Sequence, residues 1–207
     1  VAVDLLPGPS EILVIADEQA NPTFAAADIL AQAEHGSGKE RVWMVTTSKT
    51  VLEKTQKEIA RLLKTASRKD LLEKVLADGT ALMLVKDINQ AVELANRLAP
   101  EHCELMVKNP HEVADQIHTA GALLLGSYSP AVLGDYVAGP SHTLPTGGAG
   151  ASFAGLTVDQ FQRRTSLVEY DPETLQKAWP TVKQFSEMEG LTSHGRSAEL
   201  RLKDCGK

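Results

Sequence analysis

The sequence predicts an α/β fold: a largely parallel layered sheet with flanking helices, Rossmann-like but incomplete, followed by a small helical carboxy-terminal appendage. Three observations predict it. Short apolar runs alternate with helix-period stretches over roughly the first 130 residues, and several runs are apolar on both faces, as strands covered from both sides are. Beyond Ser127 the alternation gives way to a long stretch rich in Gly, Pro and Ser. Strands alternating with helices imply a parallel sheet, because parallel neighbours need a crossover connection.

The elements follow in order. "EILVIAD" (11 to 17) is the first strand, and "NPTFAAADILAQAEH" the first helix, begun by Asn21 as cap and by Pro22, which the first turn tolerates. "RVWMVTT" (41 to 47) is the second strand, followed by the helical stretches "KTVLEKTQKEIARLLKT" and "SRKDLLEKVLAD". "ALMLVKD" (81 to 87), helical "INQAVELANRLAP", "CELMVKN" (103 to 109), helical "PHEVADQIHTAG" and "ALLLGSY" (122 to 128) complete the sheet. Open sheets of this kind bind ligands beyond the carboxyl ends of their strands, so a site is expected there. "SYSPAVLGDYVAGPSHTLPTGGAGASFAG" reads as one long loop, and loops of that length are functional or disordered. "TVDQFQRRTSLVEYD" and "PETLQKAWPTVKQFSEMEGL" read as a helical pair, and the tail closes on "SHGRSAELRL". A boundary is expected near residue 156, between an α/β domain (1–156) carrying most of the site and a helical tail (157–207).

Composition narrows the function. The chain has 21 basic against 27 acidic residues, a formal net charge of -6, which disfavours a nucleic-acid partner. Its densest basic group, "KTASRK" (64 to 69), reads as a solvated turn. Two cysteines, Cys103 and Cys205, are too few for a disulfide framework or a cysteine zinc site, so a reducing cytoplasm is the expected location. No apolar run approaches the roughly 18 residues that span a bilayer. The opening "VAVDLLPGPSE", already apolar and without Met, suggests a start inside a larger chain.

The candidates for chemistry lie at element ends. Asp28, Gln32 and His35 can form one polar stripe on the first helix, either capping its end or holding something; a histidine before Gly36 also suits the helix dipole. Glu101 and His102 follow Pro100 at a strand entrance. Neighbours in a regular strand face apart, so this carboxylate and imidazole act together only if the chain is irregular there; a solvated turn is the alternative. Cys103 then points into the core. Asp135 and His142 sit in a loop stiffened by Pro140 and Pro145. His111 and His118 read as surface residues on one helical face. "GGAGASFAG" has no third glycine in register and no preceding strand, and is rejected as a phosphate loop. Glu189 and His194 flank a helix break at Gly190, with Thr192 or Ser193 as the next cap.

Taken together, "GPSEILVIAD", "AEHG", "APEHCEL", "GDYVAGPSHTLPTGGAGASFAGL" and "EGLTSHGRSAELRL" resemble the carboxy-terminal half of histidinol dehydrogenase, nearly end to end. The resemblance implies that Gln32, His35, Asp135 and His194 bind one zinc ion. It implies oxidation of histidinol to histidine, the last step of histidine synthesis, by two successive hydride transfers to NAD, the aldehyde staying bound between them. His102 then resembles the base that takes the alcohol proton, and Glu101 the group that activates water. Ser10, His142 and Glu189 match positions that contact substrate, together with the zinc ligands and His102. The family's tail crosses to a partner, implying a homodimer with shared sites. The main NAD-binding region belongs to the family's amino-terminal half; nothing here is a dinucleotide fingerprint, and a chain of this extent alone is expected to bind without oxidising. Two rivals remain: a zinc hydrolase using Glu101 to activate water on an amide, and a non-catalytic module whose His and Gln merely cap helices.

Overall fold

The computed structural model describes residues 7–204, so the apolar run at 1–6 and Cys205 lie outside the described residues. Its contacts divide the chain into two units, one ending at Phe161 and the other beginning at Gln162.

The first unit is built on five parallel strands: β1 (Glu11–Ala16), β2 (Arg41–Thr46), β3 (Thr80–Leu84), β4 (His102–Met106) and β5 (Ala122–Leu125), in the order β3-β2-β1-β4-β5. The order reverses between β1 and β4, whose register pairs Ile12 with His102 and Val14 with Glu104. Helix α1 (Pro22–Ala33) starts as its sequence predicts, with the Asn21 side chain accepting from the Thr23 N–H at 2.9 Å and Pro22 in the first turn. Ser48 caps α2 (Lys49–Leu62), which is followed by α3 (Lys69–Asp78). Asp87 caps α4 (Ile88–Leu98) by accepting from the Gln90 N–H at 2.9 Å.

Two apolar layers sandwich the sheet. Ile12, Val14, Met44 and Met106 pack with Ala25, Ala26 and Ile29 of α1 on one face. Leu13, Ile15, Cys103 and Leu105 pack with Ala91, Val92 and Ala95 of α4 on the other. Alternation along β4 therefore sends Cys103 and Leu105 to the α4 layer, and His102 and Glu104 to the α1 side. Each fully buried Ile, Leu or Val here contributes about 1.5–3 kcal/mol.

Several expectations need correction. Helix α5 spans only Pro110–Ala114, so His118 lies beyond it and shares no helical face with His111. Asp135 is on a short helix, α6 (Ala131–Tyr136), rather than in a loop. The cause is remote in sequence: the Glu104 carboxylate accepts from the Ala131 N–H at 2.7 Å and fixes the first turn. "GGAGASFAG" does a packing job, since a Cβ on Gly150 would run into the Thr119 carbonyl oxygen. Gly150→Ala is therefore expected to cost about 1–3 kcal/mol, read as a lowered urea midpoint at unchanged slope.

In the second unit the predicted helical pair shifts along the chain. Residues 162–171 form no helix; Leu167 and Val168 are exposed and bury no face that would hold one. The helices are α7 (Pro172–Met188) and α8 (Thr192–Asp204). Between them Gly190, at φ +69°, closes α7: Leu191 N–H donates to the Ser186 carbonyl at 2.8 Å and Gly190 N–H to that of Glu187 at 3.2 Å. This two-bond closure requires a left-handed residue, which glycine supplies without strain. No helix among the described residues is long and apolar enough to cross a membrane.

Candidate active site

The site grows from the junction of α4 and β4. Ala99 ends α4 with φ +48°, Pro100 follows, and β4 does not begin until His102. Glu101 thus precedes the regular strand and turns to the same side as its neighbour: Glu101 Oε2 lies 3.6 Å from His102 Nδ1, both residues buried. This is the irregularity that the pair requires.

The backbone of Glu11, opening β1, organises both. Its N–H donates to Glu101 Oε2 at 2.9 Å. Its carbonyl lies 3.3 Å from Gln32 Nε2, which donates to it, and 3.1 Å from His102 Nδ1. Gln32 Nε2 is also 2.8 Å from His102 Nδ1. Two tautomers satisfy the imidazole. A lone pair on Nδ1 accepts from Gln32; a proton on Nδ1 is donated to Glu11 and leaves the lone pair on Nε2. Nε2 is buried without a hydrogen-bond partner and lies 3.5 Å from Asp135 Oδ1.

Burial pushes His102 below the usual histidine range, against the opposing pull of the Glu11 carbonyl and Asp135, so the ring is neutral at neutral pH. Burial raises Glu101 to about 7, aided by the nearby Glu11 and Asp135 carboxylates and opposed by the Glu11 N–H. Folded Glu101 therefore releases its proton less readily than the unfolded side chain. Its contribution to stability is complete below about pH 4.5 and is lost as pH rises through about 7, while a carboxylate able to activate water is gained over that interval. Any water-dependent turnover should consequently rise with pH to a plateau above about 7, and Glu101→Gln should abolish that limb in a pH–rate profile.

His35 stands just past α1 and is exposed. Its Nδ1 donates to the Gln32 carbonyl at 3.0 Å, which leaves the Nε2 lone pair free. The turn beneath it is braced. Buried Glu40 accepts from the N–H groups of Gly36 and Ser37 at 3.1 and 2.7 Å, and Arg68, from the supposed solvated turn, donates to the Glu34 carbonyl. Asp135 and exposed His142 line, with His102, Leu124, Leu133 and Leu144, a cleft of about 530 Å³. A second cleft of about 620 Å³, beside Lys39, Arg41 and Lys74, contains none of the expected catalytic or ligand residues.

The first unit thus gathers Gln32, His35, Glu101, His102, Asp135 and His142. Ser10, half-buried just before β1, contributes its carbonyl to the Arg41 N–H at 3.0 Å. Glu189 and His194 belong to the second unit, exposed on either side of the Gly190 turn. The location corrects one expectation. Glu11 and His102 open their strands, so the cluster lies at the amino ends of β1 and β4, opposite the carboxyl edge favoured by open sheets. At that edge, the turn after β1 carries Asp17, whose carboxylate accepts from the N–H groups of Gln19 and Lys108, where a pyrophosphate would need glycine and bare amides.

Among the described residues no three His, Cys, Asp or Glu side chains meet as a metal centre. Only two of the first unit's expected ligands, His35 and Asp135, are of those types, and Gln32 would supply an amide oxygen. Both His35 and Asp135 act electrostatically on His102, and one imidazole nitrogen with two oxygens suits a zinc ion. Sequence reasoning missed Glu11 and Glu104. For Glu104 the signal was a carboxylate in the middle of a strand run; Glu11, at the first position of β1, gave none.

Known proteins share this chain's sequence pattern and fold. The family model for histidinol dehydrogenase matches residues 1–202. The histidinol dehydrogenase of Clostridium acetobutylicum is 43% identical over 203 residues, covering 98% of this chain and 47% of the relative. That of Aquifex aeolicus is 42% identical over 204 residues, covering 99% and 48%. A crystal structure of histidinol dehydrogenase from Elizabethkingia anophelis superposes with a TM-score of 0.93 at 34% identity, covering 100% of this chain and 47% of that one. The chain therefore spans about half the length of the relatives it matches.

Proposed function

Because the chain belongs to the histidinol dehydrogenase family, we propose that it forms the histidinol- and zinc-binding part of an enzyme that oxidises histidinol to histidine with NAD. The observation that carries the reading is His102: a buried imidazole whose Nε2 lacks a partner, at a cleft, with Glu101 at 3.6 Å and Asp135 at 3.5 Å.

His35, Asp135 and Gln32 would hold the zinc, with His194 as the fourth ligand; His194 and the homodimer rest on family membership rather than on a distance. Zinc, when bound, would act as a Lewis acid anchoring the substrate's imidazole and amine, and NAD would accept the hydride. The protein's own groups account for the protons. Neutral His102 takes the hydroxyl proton at Nε2, and Asp135 Oδ1 is close enough to stabilise the imidazolium that forms. Glu101, held by the Glu11 N–H, takes a proton from the water that adds to the aldehyde carbon. His142, at the cleft, Ser10 and Glu189 are the proposed substrate contacts. The turn after β1 is not shaped for pyrophosphate, so the nucleotide contacts are assigned to the part of the family's length that this chain does not span.

Incubation with zinc, NAD and histidinol, alone and joined to the amino-terminal half of a relative, tests the proposal. Appearance of NADH in the joined form, two per histidinol consumed, supports it. Turnover of an amide without nicotinamide would replace it with the hydrolase reading.

A further inference from the structure

Behind the site lies a second pair of acidic groups that the reaction does not use. Glu104 is 1% exposed in the middle of β4, flanked in register by apolar Val14 of β1 and Leu124 of β5. Its Oε1 accepts from the Ala131 N–H at 2.7 Å, while its Oε2 is buried with no donor to meet it. What stands within hydrogen-bonding reach is another carboxyl group, that of half-buried Asp28 on α1, one turn before Gln32. Two carboxylates facing each other in an apolar layer repel and leave acceptors unmatched; one proton between them removes both penalties.

We infer that Glu104 and Asp28 share one proton, donated from Glu104 Oε2 to Asp28, and that this acid pair positions Asp135 by tying α1, β4 and α6 together. The three elements joined are those that carry Gln32, His102 and Asp135. With Oε2 serving as donor, Oε1 remains an acceptor for the first turn of α6. Burial raises both carboxyls above their ordinary range, Glu104 the more. Among the described residues no cation stands with the groups that act on either. Of the other titratable groups on these elements, His102 and Asp135 stand 3.5 Å apart at the site, Cys103 points to the opposite face of the sheet, where the Glu104 charge helps burial raise its thiol, and Tyr136 is exposed. The role given to Asp135 rests on the proposed function; the shared proton does not.

The test combines infrared spectroscopy with amide hydrogen exchange on the 207-residue chain. At pH 7 the wild type should show the carbonyl stretch of a protonated, buried carboxylic acid that is missing in Glu104→Gln. Asp28→Asn, which removes only the neighbouring charge, should lower the pH at which that band disappears. Glu104→Gln keeps a donor on one side and an acceptor on the other, so exchange across Ala131–Tyr136 should stay near wild type. Glu104→Ala should speed it by about tenfold or more, as for a lost hydrogen bond to a carboxyl group. No band lost in Glu104→Gln, or an unchanged ionisation pH in Asp28→Asn, overturns the shared proton. Equal exchange in Glu104→Ala and wild type overturns the positioning role. Neither readout requires zinc or turnover, so failure of the enzymatic reading remains distinguishable.

Discussion

In any preparation that turns over histidinol, His102→Asn is expected to lower kcat by about 10²–10⁴-fold, the range that a positioned general base contributes. Asparagine preserves the approximate shape and a polar contact to Glu11 and Gln32 but cannot take a proton at the place of Nε2. KM for histidinol should change far less, because the groups proposed to anchor the substrate are untouched. Glu101→Gln should behave differently. Its loss falls on addition of water to the aldehyde, so a rapid burst of about one NADH per site should precede a rate reduced by a similar factor. Full-rate second-step oxidation by Glu101→Gln would remove Glu101 from that role.

The second large effect is on metal. Asp135→Ala is expected to weaken zinc affinity by more than about 100-fold, beyond the 10–100-fold typical of losing an outer partner of a ligand. Asp135 is the only anionic donor in the proposed set, so Asp135→Asn, although nearly isosteric, should also lose most of the affinity. Gln32→Ala should have a compound effect: it removes an oxygen donor and the amide that lies between the Glu11 carbonyl and His102. Zinc competition against a chromophoric chelator, run with thermal unfolding, separates lost binding from lost folding.

Much of this arrangement could be read from the residues, for identifiable reasons. Strand runs such as "EILVIAD" declare themselves because both their faces are apolar, and Asn21-Pro22 marks the start of α1 by local chemistry alone. The pairing of Glu101 with His102 was legible as a condition, an irregular chain, that Ala99 and Pro100 then satisfy. The helix bearing Asp135 could not be read because its cap is a side chain 27 residues away. Likewise, Arg68 reaches the Glu34 carbonyl beside His35 from 34 residues away, and no periodicity reports such a contact. The candidate cluster departs from the carboxyl-edge rule for a physical reason: the turn after β1 presents the Asp17 carboxylate at that edge, whereas the backbone of Glu11 collects Gln32, Glu101 and His102 at the other.

The most direct test of the account is an anomalous difference map at the zinc edge from crystals of the zinc-loaded protein with histidinol. The account predicts one peak within about 2.0–2.2 Å of His35 Nε2 and of an Asp135 carboxylate oxygen, with Gln32 turned to it and His102 beside the substrate hydroxyl. A peak bound elsewhere, with His35 and Asp135 apart, would contradict it.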